Sequence, residues 1–193
     1  MTIVNRAKAI CLRPKEEWNV IAGETVSAKN LLKDYAFPLA AIAVVANFIG
    51  LLVGRSAPIA TGLVGSVLLL ALMLGAVYAT SLIIDALAPT FGGQKNAAQA
   101  LKVAVYSATP GWIAGVLAIV PALAVLGWLG LFYSAYLLYL GLHRLMKSPP
   151  EKTVGYAAAV AACWIGMMIV STVIVASVAA AGVIATGTLP SAH

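Results

Sequence analysis

Ser81–Pro110 reads SLIIDALAPTFGGQKNAAQALKVAVYSATP. It joins the end of one long apolar segment to the start of another, and it decides how the chain folds. Pro89, Gly92 and Gly93 stop a helix and turn the backbone. Asp85 and Lys102 are the two charges set against segments otherwise long enough to cross a bilayer. Outward from this turn, the chain reads as greasy helices and short connectors.

Composition excludes a water-soluble domain. Of 193 residues, 62% are hydrophobic and 9% charged, with a mean hydropathy of +1.00. Soluble domains carry about 25% charged residues, so lipid has to solvate most of this surface. The predicted class is an all-α integral membrane protein, a compact bundle of five transmembrane helices. The spans are expected near residues 35–53, 59–87, 100–120, 122–143 and 153–185, which together with their connectors form a domain over 34–186. Pro121 divides an uncharged run of about 40 residues, far longer than the roughly 20 that one crossing needs. A short polar tail, 187–193, follows. The first 33 residues are too polar for a secretory signal, so the first apolar segment is expected to stay as an anchor.

Residues 1–33 read as a cytoplasmic or interfacial amphipathic segment. Ile3, Ala7, Ile10 and Cys11 fall at helical spacing, with Arg6, Lys8 and Arg13 expected elsewhere on the circumference. Pro14 suits the first turn of a second helix, with Glu16 and Glu17 at its positive end. Trp18 is expected in the headgroup boundary, and Arg6, Lys8, Arg13 and Trp18 together form the expected membrane-interface anchor.

Every basic residue except Arg55 lies in the N-terminal segment or beside the loops around Gly92 and Pro149. That asymmetry puts the N-terminus in the cytoplasm and the C-terminus across the membrane. The net charge of +6, from 12 basic and 6 acidic residues, is then a lipid-facing feature with no nucleic-acid motif beside it. Cys11 and Cys163 fall at different depths, which excludes a disulfide framework; Cys163 is expected to be buried.

The candidate site is polar. Tyr78, Ser81 and Asp85 share one face of the second span; Lys102, Tyr106 and Thr109 continue along the third to Pro110, which kinks it. Two readings stand for Asp85 and Lys102: an ion pair pinning the hairpin, or part of a polar cleft that conducts an ion or solute. Gly62, Ser66, Gly75 and the Gly111–Gly115 pair predict close helix packing. His143 is a weak metal candidate, short of partners. No catalytic motif is present and no cofactor is implied. The expected partners are membrane lipids and a second copy or another membrane protein. The leading function is a non-enzymatic scaffold or organiser of membrane; the alternative is a small transporter or channel.

Several pieces in order resemble the Yip family (Ypt-interacting, or Yip-domain, membrane proteins). They are Pro14-Lys-Glu-Glu-Trp18-x-x-Ile21, Phe91-Gly92-Gly93 and Val105-Tyr106-Ser107-Ala108-Thr109-Pro110, followed by Tyr133-x-x-Tyr136-Leu-Leu-Tyr139-Leu-Gly141-Leu and a basic loop with Pro149 and Lys152 before Gly155-Tyr156. The resemblance implies a five-helix fold with a cytoplasmic N-terminus. Eukaryotic members are associated with the early secretory pathway, small GTPases and membrane shaping. This chain lacks their long N-terminal domain and looks like a compact bacterial inner-membrane member; an ER or Golgi membrane is the alternative location.

Overall fold

The computed structural model describes residues 2–54 and 58–186. The turn expected at Arg55 and the tail 187–193 lie outside these residues. Among the described residues every regular element is helical.

Two short helices open the chain, α1 (Ile3–Leu12) and α2 (Pro14–Gly23). Thr2 caps the first by accepting from the Asn5 amide at 3.3 Å, and Pro14 starts the second, where its missing N–H costs nothing. A four-residue helix, α3 (Ala28–Leu31), runs through a π-helical turn at Leu32–Ala36 into α4 (Phe37–Val53). The long helices α5 (Ile59–Leu87), α6 (Ala97–Gly115), α7 (Gly127–Leu145) and α8 (Pro150–Thr186) follow. Between α6 and α7 the backbone tightens into 3₁₀ turns at Val116–Ile119 and Pro121–Leu126. Val120, directly before Pro121, is extended, as the proline ring demands.

Among the described residues the long helices α4 to α8 pack against one another as a bundle. At one end, called here the basic end, the loop after α5 meets the loop after α7: the Gln94 amide donates to the Met146 carbonyl at 2.8 Å. Gly92 makes that approach possible, with a φ of +71° beside Pro149. At the far end Gly50 abuts the backbone of Ala118, Gly62 abuts Phe48, and Gly65 faces Val175. Helix α6 is the central post, buried without a break from Ala100 to Ser107 and again at Thr109 and Pro110. The outer faces of α4, α5 and α8 stay apolar and exposed, with Ile42, Val45, Leu63, Val67, Ile169 and Val173 all more than half accessible. In water that surface would aggregate; it suits hydrocarbon.

Among the described residues four segments are long and apolar enough to cross a membrane: Ala28–Val53, Ile59–Leu87, Ala97–Ile119 and Pro150–Val178. The fifth expected span, α7, has 19 residues, about 28 Å of helix at the usual rise. It falls short in apolarity because it carries three tyrosines, His143 and Arg144.

Three packing expectations change. Gly75 has open space around it, whereas Gly62 and Ser66 are buried, so the small-residue face is used at one end only. The Gly111–Gly115 pair divides its contacts: the Gly111 amide donates to Ser134 Oγ on α7 at 3.2 Å, and Gly115 lies against Ala43 of α4. Cys163 is exposed on the outer face of α8 instead of buried, because α8 packs inward mainly through its first three turns.

Candidate functional site

Several residues that carry the sequence motifs, among them Trp18, Phe91, Tyr106 and Tyr156, lie toward the basic end. The amphipathic stripe of α1 seats Ile10 fully buried. Arg6 lies in that stripe too, three residues after Ile3 and one before Ala7, and it is 7% exposed. A buried guanidinium needs partners. It finds two carboxylates: Arg6 Nη1 donates to Glu17 and Nη2 to Glu24. Burial alone would lower the Arg6 pKa, but the hydrogen bond to Glu24 and the charges of Glu24 and Glu17 outweigh it and hold the group above its ordinary value. The same guanidinium stands 5.8 Å over the Tyr106 ring, within cation–π reach.

Tyr106 is the hub beneath it. Trp18 meets it edge-on at 6.3 Å between centroids and Tyr35 at 4.9 Å. Tyr35 and Thr109 are joined hydroxyl to hydroxyl at 3.0 Å. Gly141 on α7 leaves room for the indole: a Cβ there would lie 2.9 Å from Trp18 Cη2. Trp18 therefore sits in the protein core with no exposure. For Trp18 and Arg6 the side-chain contacts are with protein, because α1 and α2 dock against α6 and α7. Lys8 and Arg13 remain exposed.

Lys102 closes the dock. Its Nζ donates to the Ile21 carbonyl at 2.9 Å and to the Glu24 carbonyl, both at the C-terminal end of α2, where the Ile21 carbonyl also accepts from the Glu24 amide. No Asp85–Lys102 ion pair occurs among the described residues, which corrects that reading: the α2 carbonyls claim the ammonium first. Asp85 is half-buried, and its Oδ1 has no hydrogen-bond partner there. Close by, Tyr156 donates to the Ile84 carbonyl and stacks on Phe91 at 5.1 Å with an interplanar angle of 5°. Gly155 lies beside the same Phe91 ring. Each aromatic of the Phe91-Gly92-Gly93 and Gly155-Tyr156 pieces thus has the other as its contact.

The expected polar cleft is not formed as one surface. Tyr78 is half-exposed on the outside of α5, and Ser81 Oγ returns to its own helix at the Tyr78 carbonyl, 2.6 Å away. Tyr106, Thr109 and Pro110 are buried in protein. Tyr133 donates to the Cys11 carbonyl at 2.7 Å, adding a further tie to α1. His143 Nδ1 bonds the Ser148 carbonyl at 2.9 Å, and no three metal-ligating side chains cluster among the described residues.

Chemically, Arg6, Lys102, Glu17 and Glu24 form a neutral set of two cations and two anions that locks a surface hairpin into a membrane bundle. Sequence reasoning missed Glu17, Glu24 and Tyr35 as members. The signal was there for the first: Arg6 and Glu17 both fall on apolar faces, beside Ala7 and Trp18, where an unpaired charge would not survive.

These features define a polytopic helical membrane protein with an N-terminal helical hairpin built into its core. The chain belongs to the Yip1 domain family, whose pattern it matches over residues 8–173. It is similar to the Inner membrane protein YohC of Escherichia coli strain K12, 27% identical over 172 residues, covering 83% of this chain and 87% of that protein. The YohC protein of Escherichia coli O6:H1 strain CFT073 is similar to the same degree. No solved structure matches.

Proposed function

We propose that this protein is a non-enzymatic organiser of the inner membrane, acting as an oligomer or as a scaffold for another membrane protein. Its chain crosses five times, α7 included, with the N-terminus cytoplasmic and the C-terminus opposite. The inner-membrane location follows the relative's printed name, and the orientation follows the gathering of basic residues at one end of the bundle.

One observation carries the functional reading. At the bundle's basic end Arg6, Glu17, Glu24 and Lys102 are turned inward and held by one another or by backbone carbonyls, while the apolar faces of α4, α5 and α8 are left for lateral contact. A conducting path needs polar groups facing a cavity; here α6 is packed solid where Lys102 and Tyr106 sit. The test is the assembly state in nanodiscs together with site-directed crosslinking along Ile42, Leu63 and Ile169. Discrete, specific crosslinked oligomers or a captured membrane partner support the reading. Solute or ion flux through reconstituted liposomes that Asp85→Asn abolishes overturns it.

The transporter reading has a single feature in its favour, the unpartnered Oδ1 of Asp85. The same liposome experiment decides it.

A further inference from the structure

A second feature lies on the opposite side of α6 from the docked hairpin. Helices α5, α6, α7 and α8 enclose a cavity of about 670 Å³, of the size that holds small molecules. It follows α8 from Val160 to Val173, a run of about 20 Å at helical rise. Its outer rim includes Phe132 and Ile169, both well exposed, so it opens sideways toward lipid between α7 and α8. No charged residue lines it.

The polar atoms of this apolar slot are unevenly satisfied. Thr80 and Thr172 hand their hydroxyls back to their own helices, at 2.7 and 2.8 Å from the carbonyls of Ala76 and Met168. Ser107 does not. It is 6% exposed and its side chain lines the slot; its Oγ, covered in the resting rotamer, has no partner among the described residues. Ser134, facing it from α7, accepts from the Gly111 amide and keeps its own proton to donate. Both hydroxyls lie near Pro110, which stands inside α6. Ser107 is ten residues into α6, about 15 Å from the basic end, hence near the middle of a hydrocarbon core about 30 Å thick.

We propose that this slot binds a neutral, lipid-soluble molecule presenting a carbonyl to Ser107 and Ser134, the chemistry of an isoprenoid quinone. The occupant has to be neutral because nothing in the wall answers a charge. It has to carry an acceptor at mid-depth, which a phospholipid does not, since its ester carbonyls stay at the interface and its chain offers the serines nothing. Trp128 and Trp164 in the wall supply flat apolar faces for a ring.

The probe is decylubiquinone, added to the full chain in nanodiscs of phosphatidylcholine, with tryptophan fluorescence as the readout. The expected result is saturable quenching. Ser107→Ala should weaken it about fivefold, the effect of one hydrogen bond lost, while leaving the melting temperature unchanged or raised, since it deletes an unsatisfied buried hydroxyl. A purely structural serine would show no such split. Ala161→Phe, which fills the slot, should abolish saturation. Quenching that rises linearly with bilayer quinone and is indifferent to both variants overturns the proposal. So does native mass spectrometry that finds phospholipid alone retained after quinone loading, or a crosslink between Phe132→Cys and Ile165→Cys of two different copies.

Discussion

Lys102 Nζ sits 2.9 Å from the carbonyl of Ile21, so the one cation buried in α6 points at the end of α2 and not at Asp85. This contact ties a hairpin that precedes the first span to the helix at the centre of the bundle. Lys102→Met should therefore loosen residues 14–23 and leave the long helices in place. Hydrogen bonds to a charged group contribute about 1.5–3 kcal/mol, and the loss should appear as faster amide exchange in α2. Asp85→Asn, in contrast, should leave α2 exchange unaltered. Equal exchange in both variants would contradict the assignment of Lys102 to the dock.

Gly141 and Trp18 make a sharper test of the same dock. Gly141→Ala puts a methyl 2.9 Å from the indole edge and 3.2 Å from Val103. Overpacking of this kind costs about 1–3 kcal/mol. Gly166→Ala, on the open face of α8, meets nothing within 4 Å and should hold stability or raise it by up to about 1 kcal/mol through helix propensity. Thermal unfolding in detergent compares the two directly; the expected order is Gly166→Ala at or above wild type, and Gly141→Ala clearly below.

The buried ion pairs give the third prediction. Removing one partner from such a set costs about 3–5 kcal/mol because the other is stranded. Arg6→Ala should thus undock α1, and Arg6→Lys should rescue it poorly, since an ammonium cannot fork between Glu17 and Glu24. Cys11 reports the event. Burial pushes its thiol above the ordinary value, which lowers the thiolate fraction at neutral pH. Undocking exposes the thiol and brings the value back down, so maleimide labelling of Cys11 should speed up in Arg6→Ala. An unchanged labelling rate would mean that α1 stays docked without the pair.

Much of this architecture is legible in the residues themselves. The turn at Pro89–Gly93 falls directly after α5, because proline and glycine act locally, whereas the break expected at Pro121 spreads over the 3₁₀ turns between Val116 and Leu126. The family motifs were legible as a list, but not as a place: nothing in one dimension says that Phe91 and Tyr156, 65 residues apart, would stack. The docking of the hairpin escaped for a different reason. An amphipathic basic helix looks alike whether its apolar stripe meets lipid or protein, and only the charges inside the stripe, Arg6 and Glu17, distinguish the two. Asp85 and Lys102 looked like a pair because they flank one loop; backbone carbonyls, which no sequence pattern advertises, took the lysine instead.

Helix α7 provides the last test, and it bears on the whole orientation. Its amino end lies beside Ala114 and Pro110, near the far end of α6, and its carboxyl end meets Trp18 and the loop at Gly93. A helix of 19 residues that runs the length of α6 has the reach to cross despite its tyrosines, since Tyr133 spends its hydroxyl on the Cys11 carbonyl and Leu137 and Leu138 face the core. Single cysteines in a Cys11→Ser, Cys163→Ala background should then label asymmetrically in intact cells. Leu123→Cys, at the far end, should react with an impermeant maleimide from outside, and Arg144→Cys only after permeabilisation. Labelling of both from outside would mean that α7 dips into the bilayer and returns, and the C-terminal half of α8 would then emerge where the N-terminus does.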